Sequence, residues 1–317
     1  MNAIELTNVT KRFGDVTALD GVSLSVPDGE VFGLLGTNGA GKTTLFRILV
    51  DHLRPDAGSV TVAGAPANDG PSVRDRVGYL PQRVGFPPAF TGRETLRFHA
   101  RMRGVPARER DTRIGAALDT VGLTAAADRK SGGYSQGMIR RLGLASVLVA
   151  RPSVLLLDEP TSGLDPEGVE AFHDVIARYN EDAGATVVYT SHTLAEVEEV
   201  CERVAILDDG RVLVSGPVDD LRRHAGDEVT VVVYADGAAL ASAADRLDDD
   251  PAVRSARRDG GRLVVACERA AAYDVVTRIR SRVDLDGFEV REPHLADVFH
   301  RALAGAGNAD GGATADD

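Results

Sequence analysis

The sequence predicts an α/β domain with a helical insertion, followed by a smaller α+β domain. Three observations carry this. Residues 30–35 are a short apolar run, the pattern of a strand buried on both faces, and they lead directly into a glycine-rich loop and then helical spacing. From about residue 90 to 150, apolar positions recur at helical spacing before strand signals return. Beyond about residue 225, strand and helix candidates follow a new order, βαββαβ.

Taken in order, residues 4–13 alternate and read as a strand. Residues 22–26 form a second, ended by the turn signal Pro27-Asp28-Gly29. The strand at 30–35, the glycine loop and a helix over 45–53, closed by Pro55, come in the order a phosphate-cradling loop requires. In the insertion, helices are expected over 94–102, 108–121 and 136–149. Strands follow at 153–157 and 185–190, with a helix over 166–182 between them. Residues 204–207 and 211–215 flank Asp208-Asp209-Gly210, a hairpin turn. The second domain is expected to place strands at 227–234, 252–257, 262–267 and 288–291 and helices at 237–247 and 270–283. This is the split βαβ order of a ferredoxin-like domain. A helix over 294–303 follows. Residues from 305 on are Gly, Ala, Asn, Thr and Asp, which can bury no face, so disorder is expected there. The expected organisation is therefore 1–225, with a helical subdomain at about 90–150, then 226–304, then a tail at 305–317.

A hydrophobic content of 43% in 317 residues supplies a full core and excludes wholesale disorder. No apolar run approaches the roughly 20 residues of a membrane-spanning helix, and no signal-peptide pattern opens the chain, so a cytoplasmic protein is expected. The net charge of −12, from 48 acids and 36 bases, disfavours nucleic acid as a partner. Cys201 and Cys267 stand in unrelated contexts and read as reduced thiols. The lysines are Lys11, Lys42 and Lys130, the other bases being arginine. Few lysines with many acids fit a salt-rich, halophilic cytoplasm, where screening tolerates a large charge. Genomic preference for Arg and Ala codons is the plain alternative.

The loop Gly36-Thr37-Asn38-Gly39-Ala40-Gly41-Lys42-Thr43-Thr44 matches G-x-x-x-x-G-K-[ST] in full. Glycines let the backbone fold around phosphates with N–H groups inward, and the following helix adds its positive end. Lys42 would neutralise the β- and γ-phosphates and Thr43 would ligate Mg²⁺. The strand Val154-Leu155-Leu156-Leu157 ends in Asp158-Glu159. Strand alternation would point the two acids apart, Asp158 toward Mg²⁺ and Glu159 toward an attacking water. The acidic runs Asp248-Asp249-Asp250 and Asp208-Asp209 read as solvated turns, and the scattered histidines show no zinc spacing.

With these motifs in hand, the chain over about residues 4–216 resembles the ATP-binding subunits of ABC transporters, which are P-loop NTPases. Phe13 stands where that family stacks an aromatic on adenine. Gln82, in Gly78-Tyr79-Leu80-Pro81-Gln82, stands where its glutamine senses Mg²⁺ and the γ-phosphate. Tyr134-Ser135-Gln136-Gly137-Met138 stands at the family signature, keeping Ser135 and Gly137, which contact the γ-phosphate, while Gln136 replaces a glycine. Asp158-Glu159-Pro160-Thr161-Ser162-Gly163-Leu164-Asp165 matches the Mg²⁺ aspartate, the catalytic glutamate and the aspartate loop with Asp165. His192, in Thr190-Ser191-His192, matches the γ-phosphate switch.

The resemblance implies ATP and Mg²⁺ as cofactors and a head-to-tail homodimer. In it, the glycine loop of one copy faces Ser135 and Gly137 of the other across ATP. It also implies a separate transmembrane permease, received on the surface around residues 83–97, and a peripheral place at the membrane's inner face. Within the family the chain looks like the exporter type. It is most similar there to the copper-associated ATPase of nitrous oxide reductase maturation, a reading that would add a periplasmic-side accessory protein. A drug, lipid or ion exporter ATPase of the same type, and a non-transport regulatory ABC ATPase, are the alternatives.

Overall fold

Two sheets build the first of two units, Met1–Pro217 and Val218–Asp317, into which the chain divides. β1 (Asn2–Phe13), β2 (Val16–Pro27), β4 (Ala57–Val62) and β5 (Ala65–Pro66) form an antiparallel sheet in the order β2-β1-β4-β5. The second sheet takes β3 (Val31–Gly36), β6 (Val77–Leu80), β7 (Val154–Asp158), β8 (Thr186–Thr190), β9 (Arg203–Asp208) and β10 (Arg211–Pro217). Its order is β10-β9-β3-β8-β7-β6, parallel except for β10. This computed structural model describes residues 1–224, 228–235, 240, 247, 250–292, 294–299 and 302–303.

β7 and β8 are buried along their whole length and β3 up to its last residue, which is why they read as unbroken apolar runs. Between β3 and β7 lies β8, with Thr190 level with both Leu34 and Asp158. The loop after β3 and the acids at the end of β7 therefore meet at the carboxyl edge of a parallel sheet, where α/β folds place ligands.

Helices α1 (Lys42–Leu49), α2 (Pro71–Arg74), α3 (Gly92–Met102), α4 (Ala107–Thr120), α5 (Gln136–Leu148), α6 (Pro166–Ala183) and α7 (Leu194–Val200) complete this unit. Three begin on side-chain caps. Thr91 and Glu94 close a capping box on α3, Ser135 accepts from Met138 N–H on α5, and Asp165 accepts from Gly168 N–H on α6. Gly184, at φ +60°, ends α6. α3, α4 and α5 pack on one another as the expected helical subdomain.

β4, β6 and α7 are among the elements that carry no clear signal in the sequence. β4 is mostly exposed at its start, β6 is only four residues long, and α7 is short. α1 stops at Leu49, short of the expected 53, because Asp51 turns left-handed (φ +57°) and the N–H groups of His52 and Leu53 return to Arg47 O.

The second unit contains α8 (Val218–His224), β11 (Glu228–Tyr234), β12 (Val253–Asp259), β13 (Arg262–Glu268), α9 (Ala272–Arg280) and β14 (Gly287–Arg291). Its sheet, in the order β12-β13-β11-β14, is antiparallel throughout, the topology of the split βαβ fold. Val229, Val231 and Val233 alternate inward against Leu263, Val265, Cys267, Val275 and Ile279. Leu240 and Leu247 join this core, but the rest of the helix expected at 237–247 lies outside the described residues, as does the tail expected at 305–317. Residues 295–299 and 302–303 are helical, within the stretch expected at 294–303. Among the described residues no helix is long and apolar enough to cross a membrane.

Candidate functional site

β3 delivers its last residue, Gly36, into the glycine loop, and α1 begins at Lys42. Two loop positions admit no side chain. A Cβ on Gly41, at φ +108°, would lie 2.5 Å from Ala18 O, and one on Gly36 would lie 2.2 Å from Leu207 O. Gly39 turns at φ +90° over open space. Lys42 is buried, and its Nζ donates to the carbonyls of Gly36 (2.7 Å) and Thr37 (2.9 Å), so the loop closes around the ammonium. Burial pulls the Lys42 pKa below the ordinary lysine value, while Glu159 and Asp158 oppose that shift. Thr37 Oγ1 donates to Asp208 at 2.7 Å, tying the loop to the end of β9.

A pocket of about 250 Å³ is lined by Ala18, Asn38, Gly39, Ala40, Gly41, Lys42, Thr43, Thr44, Gln82, Asp158 and Glu159. The fold thus brings the glycine loop, the glutamine and both acids to one place. Asp158 is buried at the end of β7 and accepts from Thr190 Oγ1 (3.1 Å) and Tyr79 OH (3.3 Å). Burial, with Asp158 adjacent, pushes the Tyr79 hydroxyl up to about 12, so it stays a donor. The hydroxyl of Thr43, the amide of Gln82 and the carboxylate of Asp158 are hard oxygen ligands of the kind Mg²⁺ takes, and the site's chemistry fits that ion.

The two acids are separated by a backbone turn, not by the expected strand alternation. β7 ends at Asp158, and Glu159 leaves it in the left-handed region at φ +43°. Its N–H donates to Thr190 Oγ1 (2.8 Å), and its Oε2 accepts from Gln82 Nε2 (2.7 Å) and lies 3.6 Å from His192 Nδ1. His192 is exposed and, with Glu159, lines a second pocket of about 220 Å³ that includes Thr161, Ser162, Gly163 and Glu196.

Phe13 ends β1 and is 47% exposed, with Lys11 Nζ 5.6 Å from the ring centroid. Ser135 and Gly137 open α5 and lie outside the lining of the 250 Å³ pocket, and Asp165 caps α6. Sequence reasoning missed Tyr79, Arg140, Thr190 and Glu196. Glu196 Oε2 accepts from Thr161 (2.6 Å), Tyr189 (2.9 Å) and Ser191 (3.1 Å), joining the aspartate loop to the segment that bears His192. Arg140 shares a helical face with the buried Leu144 and Leu148, but Arg141 shares one with the buried Ala145 and Leu148, so the helical pattern alone does not single Arg140 out.

Comparison with known proteins accords with this geometry. The family model described as ABC transporter matches residues 19–162, and that of the ATP-binding protein DrrA1-3-like, C-terminal domain, matches residues 216–303. The daunorubicin resistance ATP-binding protein DrrA3 of Streptomyces coeruleorubidus is 36% identical over 302 residues, covering 94% of each chain. The Nod factor export ATP-binding protein I of Rhizobium sp. (strain N33) is 36% identical over 301 residues, covering 94% of this chain and 96% of that one. An ATP-binding cassette solved as a dimer in a post-hydrolysis state with ADP and Pi superimposes with a TM-score of 0.61. It is 28% identical, over 68% of this chain and 98% of that one. The chain belongs to the ATP-binding proteins of ABC transporters, the ATPase subunits of those systems, in the branch that carries a DrrA1-3-like C-terminal domain.

Proposed function

We propose that the chain is the motor of an exporter, closing as a homodimer around two ATP molecules and driving a separate permease. The observation that carries this reading is the division of the site. The glycine loop, Gln82, Asp158 and Glu159 share one pocket, while Ser135 and Gly137 stand outside it at the start of a helix whose first N–H groups suit an anion. A second copy would supply that helix end. The related cassette solved as a dimer supports this arrangement.

In this reading the backbone N–H groups of residues 36–44 and Lys42 hold the phosphates, and Phe13 stacks on the adenine. Thr43, Gln82 and Asp158 would hold Mg²⁺, which when bound neutralises charge on the β- and γ-oxygens. Glu159 orients the attacking water, with Gln82 fixing its carboxylate. His192, within reach of the same carboxylate, holds the γ-phosphate. Asp165 belongs to the loop that crosses toward the second copy. Loss of the γ-phosphate removes the shared anion and lets the pair open.

The permease would dock on a cavity of about 390 Å³ beside Gln82, lined in part by Tyr79, Arg83, Phe86, His99 and Arg103, and the motor would lie peripherally at the membrane's inner face. The named relatives are a drug-resistance protein and a Nod factor export protein. They favour the export of a small organic molecule over the copper-associated reading, and with that the periplasmic-side accessory protein loses its reason.

Steady-state ATPase of wild type and E159Q tests the reading. E159Q should lose about 10²- to 10³-fold in kcat and form an ATP-dependent dimer by size exclusion. Wild type turning over no faster than E159Q, or a variant that stays monomeric at saturating ATP, would overturn it.

A further inference from the structure

Arg140 lies on α5, five residues after Ser135, and is 5% exposed. All five of its N–H donors are spent on main-chain carbonyls. Nε donates to Pro160 O. Nη1 donates to Pro81 O and Gln82 O, each at 2.8 Å. Nη2 donates to Glu159 O at 2.7 Å and Asp158 O at 3.1 Å. A guanidinium carries five donors in a fixed planar fork, so its capacity is filled here.

The acceptors come from two segments far apart in sequence, the loop at Gln82 and the turn through Glu159. The turn is the strained one. Glu159 is a non-glycine residue at φ +43°, a conformation that persists only where the surroundings hold it from several sides. Thr190 Oγ1 takes the Glu159 N–H, and Arg140 takes the Glu159 carbonyl together with those on either side. The side chains of Glu159 and Gln82 then meet at 2.7 Å.

We propose that Arg140 is a positioning residue for hydrolysis, setting the main chain of Glu159 and of Gln82 in one grip and fixing both to the helix that begins at Ser135. This rests on the reading of Glu159 as the residue that orients water. It also assigns a route between half-sites: α5 presents Ser135 and Gly137 to the second copy's nucleotide, and Arg140 passes that helix's position to the glutamate of its own copy. The grip acts on orientation and leaves the phosphate loop untouched. Its loss should therefore appear in kcat and not in ATP affinity.

The test is a set of variants in the full chain: R140Q, R140K, E159Q, the double variant R140Q/E159Q, and R141Q as a control whose wild-type side chain donates to Val121 O at 3.4 Å, outside both segments gripped by Arg140. Thermal melting and ATP binding are measured alongside kcat and KM. R140Q should lose about 10²-fold in kcat with KM within about threefold of wild type. R140K keeps the charge but has three donors for five carbonyls, so it should stay at least about 10-fold impaired. The double variant should be hardly slower than E159Q alone, because Arg140 acts through Glu159. R141Q should turn over like wild type.

Wild-type kcat in R140K, or losses that multiply in the double variant, would overturn the proposal. So would loss of the fold or of ATP binding in both Arg140 variants, which would assign the side chain to packing alone. If E159Q itself hydrolysed ATP normally, the reading of Glu159 would fail instead.

Discussion

Gly137→Ala separates a folding role from a contact with a second copy, because the two predict opposite signs. A Cβ built on Gly137 meets Leu164 Cδ2 at 3.6 Å and Ser135 Oγ at 4.0 Å, both ordinary contacts, and the residue is not among those with positive φ. It occupies the second position of α5, so alanine gains helix propensity of up to about 1 kcal/mol, and about 0.5 kcal/mol this near the terminus. For a unit of this size that raises Tm by about 1–2 °C. If the N–H groups at this helix end receive the γ-phosphate of the second copy, the same methyl stands where the phosphate must approach. ATPase activity should then fall about 10- to 100-fold. ATP-dependent dimerisation in the E159Q background should weaken in parallel. The assays are scanning calorimetry, steady-state hydrolysis and sedimentation at saturating ATP. A G137A chain that melts slightly higher but hydrolyses and dimerises normally would refute the contact. One that melts several degrees lower would refute the packing argument.

Three further outcomes follow from the same geometry. G41A should lose ATP binding by calorimetric titration, since its Cβ would be driven into Ala18 O at a φ of +108°, and wild-type affinity would contradict the role of the loop's shape. F13A should raise KM for ATP about 5- to 30-fold with kcat unchanged, the value of about 1–2 kcal/mol for base stacking, and an unchanged KM would remove Phe13 from the adenine site. Burial holds the His173 pKa below its ordinary value of 6.5, against the opposing pull of Glu199, Glu196 and Asp174. Below about pH 6.5 the unfolded chain therefore binds a proton the fold resists, and Tm should drop between pH 7.5 and 5.5. H173Q should flatten that drop, and an identical slope would acquit this histidine.

How much of this could be read from the sequence depends on the range of the interactions. The glycine loop, Lys42 and the helix after it are adjacent in the chain, and the conformations they need are dictated by residues no more than a few positions away. The same holds for Ser135 and Asp165, which cap the helices they precede. The C-terminal sheet was legible chiefly through β13, whose Leu263, Val265 and Cys267 alternate inward. β6 was not, since four residues with a glycine in the middle carry no period, and only pairing with β7 makes them a strand.

The turn at Glu159 shows where local reading runs out, and why. Asp158-Glu159 has the pattern of the last two residues of a strand, so alternation is the natural account of their divergence. What separates them is a left-handed residue that its own sequence disfavours, held by a hydroxyl at Thr190 and a guanidinium at Arg140. Those partners lie 31 and 19 positions away. Each looks ordinary where it stands: a threonine ending an apolar strand, an arginine in a helix beside another arginine. Arg140 differs from Arg141 only in facing inward, and inward-facing arginine is justified only by acceptors enough to fill its fork. α5 is buried without a break from Leu142 to Leu148, so its pattern favours neither arginine, and it is the fold that buries position 140. A charged residue there is a physical anomaly, and resolving it requires a ring of carbonyls. In this fold the carbonyls are those of Pro81, Gln82, Asp158, Glu159 and Pro160, the two segments on which the proposed hydrolytic role rests, so the buried arginine and the strain in the turn at Glu159 are two ends of one arrangement.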